Sequence, residues 1–330
     1  MISGPVVASY ILSGLSVFLV LRFHLLPAVF AGLAVHVLTV KLARRLPKNW
    51  GGWAHEIALA ALAVLVIFGL TGTVLGLWSF LNGNGGMGAL LDAAAGTLEK
   101  LRSAVPPTIA EYLPATVDEL HAQIAGMMRQ HGQKISSVGM AGARTFVHVL
   151  FGMVIGGLTA LHQFSDCAGW PPLTAALYAR AQALANAFDK VVFAQVKISA
   201  LNTLLTALYL LVVLPLCGVT MPLLTVILPL TFVAGLLPVV GNLISNTAIV
   251  LISLGISPGV ALASLFFLIA IHKLEYFTNA KIVGGEVHAR AWELLCAMLA
   301  LEAFFGVAGL VAAPVAYAWL KSEMKMKSLI

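Results

Sequence analysis

Between Lys197 and His272 the chain contains no Asp, Glu, Lys, Arg or His, and a soluble domain could not solvate such a surface. A membrane span needs about 20 predominantly apolar residues, so residues 198–271 have room for about three crossings. Pro and Gly punctuate the run around Pro215 and Gly218, around Pro238 and Gly241, and at Pro258-Gly259, where helices are expected to stop or restart. Upstream, helix-length apolar runs occur at 6–21, 25–40, 57–80, 146–164 and 198–216. Downstream, 294–305 and 307–320 are each short of a full span, with Gly306 and Gly309 following the first. Non-helical backbone at membrane depth is tolerated only where protein or a water-filled cavity satisfies it, so a re-entrant hairpin over 294–320 fits better than two crossings. The expected fold is an all-α integral membrane protein with about eight transmembrane helices, a re-entrant or broken helical hairpin and a small extramembrane helical insert. An alternative makes the pair within 223–256 re-entrant and the C-terminal pair true spans, and the pattern leaves both open.

The chain divides accordingly into helices over 1–81, an extramembrane insert at 82–144, and further transmembrane helices over 145–330. The insert opens on Asn82-Gly83-Asn84-Gly85-Gly86, a turn composition. Thr116 and Glu119 then show capping-box spacing, and Val117, Leu120, Ile124 and Met127 recur on one helical face. After Pro171-Pro172 a second amphipathic stretch, 171–194, sets Leu173, Leu177, Leu184 and Phe188 against Arg180, Asp189 and Lys190; it is expected to lie along the membrane surface and enter near Gln195. The helix break spans 236–242. Placing the basic cluster Lys41, Arg44, Arg45 and Lys48 in the cytoplasm fixes orientation by alternation. The N-terminus, 166–197, the loop with Lys273, Lys281 and Arg290, and the tail with Lys321, Lys325 and Lys327 fall inside, and the insert outside. The N-terminus lacks a basic n-region, and its apolar run meets Arg22 and a second apolar segment, which reads as a retained helix and not a cleaved signal peptide.

Composition agrees: 60% of residues are hydrophobic and 10% charged, with a mean hydropathy of +0.99. The net charge of +6 does not imply nucleic acid, because the basic residues flank apolar segments as positive-inside bias requires. Cys167, Cys217 and Cys296 lie far apart without metal-ligand spacing and read as small apolar residues. Enzymatic signatures are absent: His55-Glu56 lacks the second His of a zinc-protease helix, and neither a phosphate loop nor a nucleophile elbow occurs. No enzyme activity, cofactor or metal is expected.

Polar residues inside the apolar runs are the candidate chemistry. Gln195, Ser199, Asn202 and Thr206 fall at i, i+4, i+7 and i+11, stacked on one helical face. The stripe reads either as a solvated substrate path or as hydrogen-bonding glue between helices. Asn242, Ser245 and Asn246 follow the Pro238 to Gly241 break on one face, and broken helices expose backbone groups that coordinate ions or polar solutes in many transporters. Ser264, His272 and Glu275 share a face, where Glu275 could carry a proton or cation or simply pair with Lys273 or Lys281. Glu302 sits among Leu299, Ala300, Leu301, Ala303, Phe304 and Phe305; an acid at membrane depth is a functional candidate, unless the hairpin tip lies in water.

The C-terminal half resembles the AI-2E family of bacterial membrane proteins, the autoinducer-2 exporter or PerM-like group. Leu236-Leu237-Pro238-Val239-Val240-Gly241 resembles its Pro-x-x-Gly helix break. Leu274-Glu275, followed by Lys281-Ile282-Val283-Gly284, resembles its Glu-to-Gly loop. The stretch from Phe305-Gly306-Val307-Ala308-Gly309 to Pro314 resembles its closing motif, and Ala194-Gln195-Val196 is similar to its Gly-Gln helix entry. Ala280, Gly285 and Arg290-Ala291 depart from the pattern. The resemblance implies about eight membrane helices, a helical insert, a homo-oligomer of pentameric form, and export of a small, autoinducer-2-like polar solute across the bacterial inner membrane. It implies sodium/proton-type antiport as an alternative. Gln195, Ser199, Asn202, Thr206, Asn242, Ser245 and Asn246 are then the expected pathway, Glu275 and Glu302 the coupling candidates, and Pro238, Gly241, Gly306 and Gly309 the helix breaks. A membrane scaffold binding a partner through the insert is the non-transport alternative.

Overall fold

The computed structural model describes residues 4–47, 52–82, 119, 126, 132–162, 169–236, 240–287 and 290–326. Among the described residues the regular elements are all helices, without strands. In chain order the helices are α1 (Gly4–Arg22), α2 (Leu26–Ala43), α3 (Ala54–Asn82), α4 (Gly132–Leu161), α5 (Pro172–Leu208), α6 (Leu224–Gly235), α7 (Val240–Ile256), α8 (Pro258–Val287), α9 (Ala291–Phe305) and α10 (Val307–Met326). A π-helical turn at Tyr209–Val213 and a last turn at Leu214–Leu216 prolong α5. Most of the insert lies outside the described residues, including its Thr116 cap and the Val117 to Met127 face apart from Glu119 and Gly126. Pro238 and Cys167 lie outside them too.

Among the described residues, five helices are long and apolar enough to cross a membrane: Gly4–Arg22, Leu26–Ala43, Ala54–Gly76, Gly139–Leu161 and Pro172–Leu216. That makes a membrane protein of the chain by length and composition. Large apolar side chains at Phe68, Trp78, Phe151, Leu204 and Phe266 are exposed, as lipid-facing positions require. The fifth of these helices is 45 residues long, about 67 Å at 1.5 Å per residue, roughly twice the hydrocarbon thickness. A single apolar layer can therefore cover only about half of it, and Arg180, Asp189 and Lys190 belong to its N-terminal half. By contrast α6, with 12 residues, rises only about 18 Å and cannot span alone.

The helices form two compact units. The first comprises Met1–Leu70, Val138–Phe193 and Val283–Ile330. Its α1 and α2 are joined by a tight turn in which His24 takes a φ of 57° and Leu25 N–H donates back to Val20 O at 2.9 Å; Pro at the start of α2 then resumes the helix. Against α2 packs α4, through residues too small to hold the backbones apart. A Cβ on Gly152 would overlap the Ala28 carbonyl, and one on Gly156 the Gly32 carbonyl, which is the small-residue contact that lets membrane helices approach closely. One turn on, the Thr159 hydroxyl lies 3.3 Å from His36 Nδ1. The hairpin α9–α10 turns at Gly306, whose φ of 61° and ψ of −145° are open to glycine alone, and closes so tightly that a Cβ on Gly309 would meet the Leu301 carbonyl.

The second unit comprises Thr71–Ser137 and Ala194–Ile282. Its core is apolar, with Tyr209, Leu210, Leu214, Met221, Ile227, Ile249 and Leu268 buried together. The π turn arises just before Pro215, where Leu214 N–H reaches back five residues to Tyr209 O; proline has no N–H to continue the ladder. Within this unit α6 and α7 form a hairpin whose arms touch at Gly241, where a Cβ would overlap the Ala234 carbonyl.

Candidate functional site

The last four carbonyls of any helix have no partner within it, and inside a membrane water cannot supply one. Helix α6 ends at Gly235, which is buried, and the polar stripe of α5 meets it there. Gln195 Nε2 donates to Gly235 O at 2.8 Å, and Ser199 Oγ donates to Phe232 O at 2.6 Å. Gly235 allows this approach, since a Cβ there would come within 2.6 Å of Ser199 Oγ. Two members of the stripe thus satisfy the broken helix end, a structural service that the glue interpretation foresaw.

Further along, the stripe changes character. Asn202 Nδ2 donates to Asn242 Oδ1 at 3.3 Å, joining α5 to the first turn of α7 by an amide pair. Asn202 is buried, and its Oδ1 has no hydrogen-bond partner. A buried acceptor without a partner costs about 1–3 kcal/mol, so this amide is poised for a donor. Thr206 is fully buried one turn on. Ser245 is also buried, and bonds back to the Gly241 carbonyl at 3.2 Å, while Asn246 is half-buried. The structure therefore brings Gln195, Ser199, Asn202 and Asn242 together, and turns Ser245 onto its own helix.

The seam continues past the residues singled out by pattern. Tyr209 lies three positions after Thr206, on the same face, and its hydroxyl is 3.1 Å from Ser264 Oγ; Ser264 Oγ in turn is 2.8 Å from Ser253 Oγ. All three residues are buried, and the Tyr209 ring stacks on Phe267 at 3.8 Å between centroids. Serine hydroxyls alternating with apolar residues gave no signal for Ser253, and Tyr209 reads as an aromatic core residue until the 4-3-4-3 spacing from Gln195 is extended to it. Ser264 is drawn into this cluster, whereas His272 on its predicted face is exposed. Glu275 belongs to α8, and its side chain lies outside the described residues.

Glu302 is exposed, next to exposed Phe304 and Val307 at the Gly306 turn. Enclosed acids occur elsewhere in the first unit, on α9 and α10, with partners from α1, α5 and α10. Arg180 Nη1 donates to Glu323 Oε2 at 2.5 Å, with side-chain exposures of 9% and 5%. Tyr10 OH donates to the same oxygen at 3.0 Å, and the guanidinium lies 4.4 Å from the Tyr10 ring centre. Arg180 Nε and Glu323 Oε1 are buried without partners. At the edge of the α9–α10 hairpin, Glu293 Oε2 accepts from Lys321 Nζ at 2.6 Å, from Tyr317 OH at 2.5 Å and from Arg290 N–H at 3.1 Å. The Lys321 ammonium, then the Tyr317 hydroxyl and the Arg290 amide, hold the Glu293 carboxyl down to about 2, and Glu293 raises Lys321 in return. Lys41 pairs with Asp189 and lies 4.2 Å from the Phe193 ring centre. Arg180 is on the polar side of the 171–194 stretch by pattern, and Lys321 is a tail lysine; their partners are 143 and 28 residues away, beyond the reach of periodicity.

No family model, no curated protein and no solved structure matches this chain.

Proposed function

We propose that this chain is a membrane transporter of the AI-2E type, exporting a small polar solute across the bacterial inner membrane along the α5 seam. The observation that carries the proposal is the Asn202–Asn242 pair at the helix break, which leaves a buried amide oxygen without a donor. A helix whose only task was to cross lipid would gain nothing from an unpaired amide. The seam from Gln195 through Ser199, Asn202 and Thr206 to Tyr209 carries no charged side chain at neutral pH, which favours a hydrogen-bonding solute over sodium/proton-type exchange. The π turn at its far end adds support, since π turns occur frequently at functional sites.

In this proposal the chain crosses the membrane about eight times, with α9–α10 as a re-entrant hairpin and the insert on the outer side. The pairing of Lys41 with Asp189, of Arg180 with Glu323, and of Lys321 with Glu293 supports a common cytoplasmic side for the 41–48 cluster, the 171–194 stretch and the tail. The exposed Glu302 fits a hairpin tip that reaches water better than a carrier of coupling charge. Assembly into a homo-oligomer, pentameric by resemblance, completes the proposal. Efflux from vesicles reconstituted with the full chain, over a panel of uncharged polar solutes and with imposed ion gradients, tests it. Saturable flux of a polar solute is expected. Flux confined to a cation, and only under an opposing proton gradient, would replace export by antiport. No flux of any kind, together with loss of cellular phenotype on deleting residues 90–135, would establish a scaffold.

A further inference from the structure

The charges at the end of the first unit divide into those already neutralised and those left over. Lys41 is held by Asp189, Arg180 by Glu323 and Lys321 by Glu293. Glu56 lies in the first turn of α3, where the positive end of the helix dipole suits an acid. Around the Lys41–Asp189 pair, however, three further cations are exposed: Arg44 and Arg45, one turn beyond Lys41 at the end of α2, and Lys190, the neighbour of Asp189 on α5. Because Lys41 also packs over the Phe193 ring at 4.2 Å, the end of α2 is fixed against the middle of α5, and each of the three cations lies within four residues of a member of the Lys41–Asp189 pair. Exposed Trp53, at 72%, and the Trp170–Tyr178 pair, with ring centres 5.3 Å apart, belong to the same unit, and such aromatic rings favour the headgroup level of a bilayer.

We infer that Arg44, Arg45 and Lys190 form a binding surface for the headgroup of an anionic phospholipid. The neutralised Lys41–Asp189 pair sets the spacing, and the three unneutralised cations supply the charge. A lipid is the partner that fits, because α2 and α5 bring these residues to the level where their apolar runs end, so that a bound headgroup leaves its acyl chains against exposed Leu42. The inference depends on the chain residing in a membrane and is independent of what it transports.

Native mass spectrometry of the full-length detergent-solubilised protein, titrated with phosphatidylglycerol or phosphatidylcholine, tests it. The wild type should retain phosphatidylglycerol in preference, and each charge removed from the surface should weaken that retention roughly fivefold. The triple variant Arg44→Gln/Arg45→Gln/Lys190→Gln should bind the two lipids alike. Lys325→Gln, on the last turn of α10 and outside the surface, should keep the preference. If the triple variant fails to purify as a monodisperse species, Arg45→Gln and Lys190→Gln singly must each lower retention. Equal binding of both lipids by the wild type would overturn the inference, as would an undiminished preference in the variants. So would an equal loss in Lys325→Gln, which would point to bulk charge, and displacement of the lipid by an equal concentration of inorganic phosphate would assign the surface to a free anion.

Discussion

Replacing Gly235 by alanine should cost the same hydrogen bond as replacing Ser199, and the two changes together should cost little more than either alone. A Cβ at Gly235 would come within 2.6 Å of Ser199 Oγ and 3.3 Å of Ser199 Cβ. The hydroxyl can rotate away, but rotation ends its 2.6 Å bond to the Phe232 carbonyl. Ser199→Ala ends that bond directly. Side-chain hydrogen bonds between membrane helices average about 0.6 kcal/mol and reach about 1.7; the Phe232 carbonyl has no water to replace its donor, which places this one near the upper figure. Each single variant is thus expected to lose about 1.5 kcal/mol. In the double variant the hydroxyl is already gone, and the remaining contact asks for a shift of only tenths of an ångström. A double-mutant cycle measured by reversible unfolding in mixed micelles should give a coupling of about 1 kcal/mol or more, opposite in sign to the single losses. Additive losses would show that Ser199 does not hold the end of α6, and would refute the account of why the stripe begins where it does.

Breaking the Arg180–Glu323 pair with Arg180→Met or Glu323→Met should destabilise the protein by about 3–5 kcal/mol, because an unpaired buried charge remains, whereas the double Met variant should approach the wild type; equally mild single and double variants in thermal unfolding would contradict the burial of the pair. Glu293 should govern acid stability: its carboxyl is held down from 4.5 to about 2, so the stability it contributes is present above its ordinary range and lost as pH falls from about 4.5 towards about 2. The dependence of the unfolding midpoint on pH should lose that limb in Glu293→Gln, and an unchanged profile would remove the Lys321–Glu293 link from the account.

Fold class was legible because it rests on local quantities. A charge-free run from 198 to 271 and five apolar stretches are visible one window at a time, and α1, α2 and α3 lie where those stretches predict, whereas α5 joins the amphipathic 171–194 stretch and the apolar run after it in one continuous helix. Gly306 was legible as a break for the same reason, since a positive φ selects glycine whatever surrounds it. The α5 stripe was legible as a pattern but ambiguous as chemistry: spacing places Gln195 and Ser199 on one face, but only the position of α6 reveals that they satisfy its final carbonyls. What stayed hidden depends on distant partners. Arg180 is a surface cation by periodicity and a buried one by its contact with Glu323 and Tyr10. Glu302 was open between an acid at membrane depth and one in water at a hairpin tip, and its exposure before the Gly306 turn appears only in the fold.

Flux through Asn202→Leu/Asn242→Leu, compared with the wild type in vesicles matched for inserted protein, bears most directly on the proposed path. The amide pair contributes about 0.6 kcal/mol by the average for such bonds, and leucine suits a membrane interior, so the variant should insert and assemble as the wild type does. Removal of both amides takes away the Asn202–Asn242 contact between α5 and α7, and solute flux should fall at least about tenfold, the equivalent of about 1.4 kcal/mol at the barrier. Flux equal to that of the wild type in a fully folded variant would contradict the assignment of the α5 seam as the route of transport.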